Sequence, residues 1–98
     1  ELCMMKSDCL SGFEDVMVGT SYKGDLISTN EVPFDLNADN FKSLYERHAG
    51  WSEDISSMKN QSEFPSNFKN YIEALEAHIK TPIKIVSVGP GRDQTIVR

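Results

Sequence analysis

Between Glu14 and Lys23 the chain alternates, with Val16, Val18, Thr20 and Tyr22 falling on one face. A two-residue period of this kind predicts a half-buried strand. Lys23-Gly24-Asp25 reads as a tight turn and Leu26-Ile27 as the start of a short return strand, so the segment predicts a hairpin. Residues 28–40 hold Pro33 and several Asn and Asp residues and read as a loop. Phe41, Leu44, Tyr45 and Trp51, with charges between them, place a strand at 42–49, ended by Gly50. Residues 52–65 are polar and read as a loop with room for one helical turn. The period then changes. Phe68, Tyr71, Ile72, Leu75 and Ile79 form one face of a helix over 66–80. Pro65 suits the first helical position or the residue ahead of an N-cap Ser66. Lys80 suits the negative end of the helix dipole, and Pro82 stops the helix. Ile83–Val88 predicts a strand, Gly89-Pro90-Gly91 a turn, and Thr95-Ile96-Val97 a last short strand.

Short strands around one helix imply an α/β or α+β fold. The expected architecture is a small mixed β-sheet with a hairpin and one main covering helix, 66–80. The strand after the helix is expected to run parallel to strand 42–49 through a right-handed crossover. At 98 residues the chain is expected to form a single domain, 1–98.

Charge narrows the function. Fifteen acidic against ten basic residues give a net charge of −5. A nucleic-acid binder needs a positive surface to displace counterions from phosphates, so no nucleic-acid partner is expected. No apolar run is long enough for a bilayer, so no membrane partner is expected either. Residue 1 is Glu, and no charged-then-apolar leader follows it. The expectation is therefore a chain that was processed or cut from something longer. Cys3 and Cys9 lack C-x-x-C spacing and a nearby His, and read as reduced thiols of a cytoplasmic protein.

The motifs of many enzymes are missing: there is no phosphate-binding glycine loop, no G-x-S-x-G elbow and no Cys with an evident His base. His48 and His78 stand alone and read as surface or interface residues. Trp51 reads as a core or interface anchor, Glu73 and Glu76 as a solvated face, and Arg92-Asp93 as a weak turn-level ion pair. Two short segments carry a mechanism. Lys6-Ser7-Asp8 is a K-x-D triplet directly after the apolar stretch Leu2–Met5. A carboxylate at a strand end can accept hydrogen bonds from both N1–H and the 2-amino group of guanine; adenine has no matching donor pair. The Lys stem can cover the purine face while its ammonium stays wet. Chance also produces K-x-D often. The second segment is Ser87-Val88-Gly89-Pro90-Gly91, a strand that ends in small residues whose backbone N–H groups can meet a carbonyl such as guanine O6. The plain alternative is a turn between two strands.

Taken in order, the blocks resemble those of the adenylosuccinate synthetase family. Met5-Lys6-Ser7-Asp8 through Leu10 resembles that family's strand carrying K-x-D, and Val16 to Tyr22 its next strand pair. Tyr45-Glu46 with Gly50-Trp51-Ser52-Glu53, then Phe64-Pro65, Asn70-Tyr71-Ile72 and Leu75-Glu76, are similar to its later segments. Pro82-Ile83, Ile85 to Pro90 and Arg92 are similar to its C-terminal strand and nucleotide loop. Arg47-His48-Ala49 departs from the usual residues before Gly-Trp.

The resemblance implies the C-terminal part of a larger GTP-dependent carbon–nitrogen ligase. That enzyme joins IMP and aspartate with hydrolysis of GTP, requires Mg2+, and works as a cytoplasmic homodimer in AMP biosynthesis. Carried over, Lys6, Ser7 and Asp8 form one wall of the guanine site, and Ser87, Val88 and Gly89 the other. The family's phosphate loop, catalytic residues, metal ligands and IMP contacts have no counterpart in these residues. The chain alone is thus expected to bind GTP or GDP weakly, to meet IMP and aspartate only through a missing N-terminal part, and not to catalyse. The alternative is a stand-alone α+β ligand-binding or dimerisation domain related by descent.

Overall fold

A computed structural model describes residues 1–24, 28–32 and 41–98. In chain order the elements are β1 (Leu2–Met4), β2 (Asp15–Lys23), β3 (Ser28–Thr29), β4 (Lys42–Ala49), α1 (Ser66–Ile79), β5 (Ile83–Ser87) and β6 (Thr95–Val97). Short 3-10 turns occupy Ser7–Leu10, Ile55–Ser57, Gln61–Glu63 and Arg92–Gln94. The class is α+β, with one helix, a mixed sheet and an antiparallel hairpin sheet. The chain divides into two compact units, one of Glu1–Val16 with Ala49–Arg98 and one of Met17–His48.

The first unit holds the sheet of order β1-β5-β6. β1 runs parallel to β5, with Cys3 opposite Ile85 and Met4 opposite Val86. β6 runs antiparallel to β5, with Val86 opposite Ile96 and Ser87 opposite Thr95. The parallel partner of β5 is thus β1, not the strand at 42–49. Three residues are too few for alternation to reveal β1, and its partner is remote in sequence. A second correction concerns Lys6-Ser7-Asp8, which lies beyond the strand. Lys6 adopts φ 58° and ψ 38°, and i→i+3 bonds from Cys9 N to Lys6 O (3.2 Å) and Ser11 N to Asp8 O (3.1 Å) wind the next residues into a turn.

The core of this unit gathers the apolar positions of α1 and β5 with those of the connecting turns. Phe68 and Ile72, one turn apart on α1, are fully buried, as are Ile55, Val86 and Val88. The helical stripe is core at Phe68, Ile72, Tyr71 and Leu75, while Ile79 at its end is 44% exposed. Trp51 is buried against Phe68, with ring centroids 4.7 Å apart. Burial of the Tyr71 ring pushes its phenol above the ordinary value. Pro65 itself is the N-cap and Ser66 the first helical residue. Lys80 closes the helix in the left-handed conformation, φ 51°, and Pro82 follows. Gly50 is required where it stands: a Cβ there would lie 1.9 Å from the Phe13 carbonyl oxygen. This close approach lets Gly50 N donate to Glu14 O and Gly12 N to Trp51 O, both at 2.8 Å.

The second unit holds the sheet of order β3-β2-β4. Tyr22 pairs with Thr29 and Lys23 with Ser28, which confirms a hairpin. Its return strand is Ser28–Thr29, residues that the pattern assigned to a loop; a Ser-Thr pair carries no apolar alternation to mark it. The expected turn residue Asp25, the strand residues Leu26 and Ile27, and the loop at 33–40 lie outside the described residues. Val18, Thr20 and Tyr22 are the more buried face of β2, with Met17 and Lys23 exposed.

Candidate functional site

β1 and β5 lie side by side and parallel, so their C-terminal ends, Met4 and Ser87, come to the same edge of the sheet. The segments that leave those ends are Lys6-Ser7-Asp8 and Val88-Gly89-Pro90-Gly91. They enclose a cleft of about 490 Å³, lined by Met5, Lys6, Asp8, Cys9, Ser87, Gly89, Pro90, Gly91, Arg92 and Thr95. That volume lies within the roughly 300–1,000 Å³ typical of small-molecule sites. Ligand sites of sheets with parallel strands sit outside the carboxyl ends of the strands. A second cavity of about 270 Å³ lies by Phe64, Lys69 and Ile72. Both of its cations are occupied: Lys69 Nζ donates to Ser62 O and Arg98 Nη1 to Glu76 Oε1.

Of the six residues expected to form the site, four line the cleft and two do not. Lys6 and Asp8 form one wall and Ser87 and Gly89 the other. Ser7 is 1% exposed and Val88 is 0% exposed, and their side chains belong to the interior. Neither the Lys6 ammonium nor the Asp8 carboxylate has a partner among the described residues. Arg92, on the far rim, is likewise unpaired among them. Its expected pair with Asp93 does not form. Asp93 instead meets Lys59 at 2.8 Å, and that ammonium holds its carboxyl below the usual range.

The donors of the second wall are specific. Val88 N donates to Gln94 O at 2.9 Å and Gly91 N to Gln94 Oε1 at 2.8 Å. Pro90 has no N–H. The Ser87 hydroxyl donates to Gly89 O at 2.9 Å. Gly89 N–H makes no hydrogen bond among the described residues, so within Val88–Gly91 it is the donor left over. The cleft thus combines a free carboxylate, a free backbone N–H and an aliphatic ammonium stem. Together these can accept from two adjacent donors, donate to one carbonyl and cover a flat face.

Sequence reasoning missed Gln94 and Ser56. Gln94 stands three residues after Gly91, the spacing of a capping box, and that spacing was the available signal. It also took Glu76 for a solvated residue. Glu76 Oε1 accepts from Ile83 N at 2.6 Å and from Arg98 Nη1 at 2.9 Å. The bond from Ile83, then the Arg98 guanidinium, hold its carboxyl below the ordinary value against the opposing effect of burial. Cys3 and Cys9 are free and exposed, and Cys9 lines the cleft. Trp51 is the core anchor expected, and its indole N–H donates to Ser11 Oγ at 3.1 Å. No helix of the described residues is long and apolar enough to cross a membrane.

Comparison with known proteins agrees on one family. The family model described as adenylosuccinate synthetase matches residues 1–96. The chain is 43% identical over 98 residues to the adenylosuccinate synthetase of Christiangramia forsetii, which covers all of this chain and 23% of that protein. It is 42% identical over 98 residues to that of Flavobacterium psychrophilum, with the same coverage. The fully ligated adenylosuccinate synthetase of Plasmodium falciparum superposes with a TM-score of 0.89 at 34% identity, covering 98% of this chain and 24% of that one. The chain therefore spans about a quarter of the length of the proteins it matches.

Proposed function

This chain belongs to the adenylosuccinate synthetase family, and on that premise we propose that it is the C-terminal, guanine-recognising part of a GTP-dependent ligase. One observation carries the reading: a carboxylate, Asp8, and a backbone N–H, Gly89, both unpaired among the described residues, share one cleft. Guanine presents N1–H and a 2-amino group beside a 6-carbonyl. Asp8 matches the two donors and Gly89 N–H matches the carbonyl. Adenine offers an amino group where guanine has its carbonyl, so a donor would face a donor. Hydrogen bonds to a charged acceptor are worth roughly 1.5–3 kcal/mol each, enough to set base preference. The Lys6 stem covers the base.

In the complete synthetase this site holds the base of GTP while other parts hold its phosphates, Mg2+, IMP and aspartate. Among the described residues no three His, Cys, Asp or Glu side chains gather as a metal site. Magnesium is read as bound at the phosphate end of the nucleotide in the complete enzyme, and the isolated chain is expected to lack ligase activity. The complete enzyme is read as a cytoplasmic homodimer of AMP biosynthesis.

A two-dimensional amide NMR titration of the chain with GDP, with ADP as control, tests the reading. Phosphate contacts are missing, so the expected affinity is weak, about millimolar. Shifts at Lys6–Asp8 and Gly89 with GDP alone support it. Equal shifts with ADP, or none with either, reject it.

A further inference from the structure

Four hydrogen bonds converge on Gln94. Its carbonyl accepts from Val88 N at 2.9 Å and its N–H donates to Gly91 O at 3.0 Å. Its side chain accepts from Gly91 N at 2.8 Å through Oε1 and donates to Ser56 O at 2.9 Å through Nε2. Ser56 is fixed in turn, because its N–H donates to Asp54 Oδ1 at 2.9 Å. The Gln94 amide also lies directly beneath the loop. A Cβ at Gly89 would stand 2.4 Å from both Cδ and Nε2 of Gln94, so only glycine fits over it.

We propose that Gln94 is the positioning residue of the guanine site: it ties up the Val88 and Gly91 N–H groups and leaves Gly89 N–H as the free donor of the Val88–Gly91 wall. The inference rests on the guanine reading and extends it by naming what sets the donor. One donor at one place matches one carbonyl. A loop released from Gln94 exposes a second donor, at Gly91, and lets the first wander, which blurs the distinction between a 6-carbonyl and a 6-amino group. The two ends of the amide have separable tasks. Oε1 orders the loop, and Nε2 anchors Gln94 to the Ile55–Ser57 turn.

The test uses the complete 98-residue chain and the ratio of GDP to ADP affinity, measured by amide shift titration, together with urea unfolding. Gln94→Ala is expected to lower that ratio about tenfold, the effect of one misplaced hydrogen bond. Gln94→Glu keeps an oxygen for Gly91 N but turns a carboxylate toward Ser56 O. It is expected to lose stability like the alanine variant and yet to keep most of the base preference. If both variants lose stability and both keep the wild-type ratio, Gln94 is structural glue and the proposal is wrong. A wild-type chain with no base preference overturns the guanine reading itself. A double-variant cycle then decides the geometry alone. Gly89→Ala is expected to be markedly less harmful in the Gln94→Ala background, and an unchanged penalty overturns the clamp.

Discussion

The wall at residues 6–8 leaves a three-residue strand and turns through a left-handed lysine, whereas the wall at 87–91 leaves the central strand of its sheet over a fully bonded glutamine amide. The first is a short edge strand paired with β5 along its length and anchored again beyond its turn, where Trp51 Nε1 donates to Ser11 Oγ and Gly12 N to Trp51 O. The second is held from below at each residue that has an N–H, except Gly89. The difference teaches how one cleft divides its tasks. The first wall contributes side chains, Lys6 and Asp8, which need a fixed backbone but keep free ends. The second contributes a backbone group, which is only as specific as the loop is rigid.

The largest expected effect comes from removing the exit anchor of the first wall. Gly50→Ala forces a Cβ onto the Phe13 carbonyl and separates residues 12–14 from 50–51. Overpacking against main chain is expected to cost about 3 kcal/mol in urea unfolding. A variant as stable as the wild type would show that this anchor is not needed.

Acid provides a smaller, graded test of the second wall. Glu76 fixes the start of β5 through Ile83 N. Its carboxyl is lowered in the folded chain, so its contribution is fully present above the ordinary value of 4.5 and is lost as pH falls through the lowered value. Glu76→Gln is expected to be less stable than the wild type at pH 7 and to close that gap as the solution is acidified below 4.5. A gap that stays constant across that range would contradict the linkage.

The smallest effect is expected at Lys59. Its pair with Asp93 is exposed on both sides and screened by solvent. Lys59→Ala is expected to leave the unfolding midpoint and the base preference unchanged, and a clear drop in either would show that the rim of the loop is also held by charge.

Much of this cleft was legible in the sequence, for a physical reason that also explains the rest. The helix over 66–80 and the strands at 42–49 and 95–97 announce themselves because local periodicity decides them, and the structure agrees to within a residue. Both walls were visible as segments because Lys, Asp and clustered glycines have distinct chemistry. Their adjacency was not visible, because it depends on β1 pairing with β5 across most of the chain. Gln94 and Glu76 were hidden for the same reason. Each is an ordinary polar residue until the fold brings it Gly91 and Ser56, or Ile83 and Arg98.

The most direct measurement concerns Asp8. Asparagine keeps the shape and an acceptor for N1–H but replaces the second acceptor with an amide donor, which suits the 2-carbonyl of xanthine rather than the 2-amino group of guanine. Titrating wild-type and Asp8→Asn chains with GDP and with xanthosine diphosphate should show the preference reversing, with GDP weakened about tenfold or more. An Asp8→Asn chain that still prefers GDP as the wild type does would contradict the role proposed for Asp8, and with it the proposal that this cleft is a guanine site.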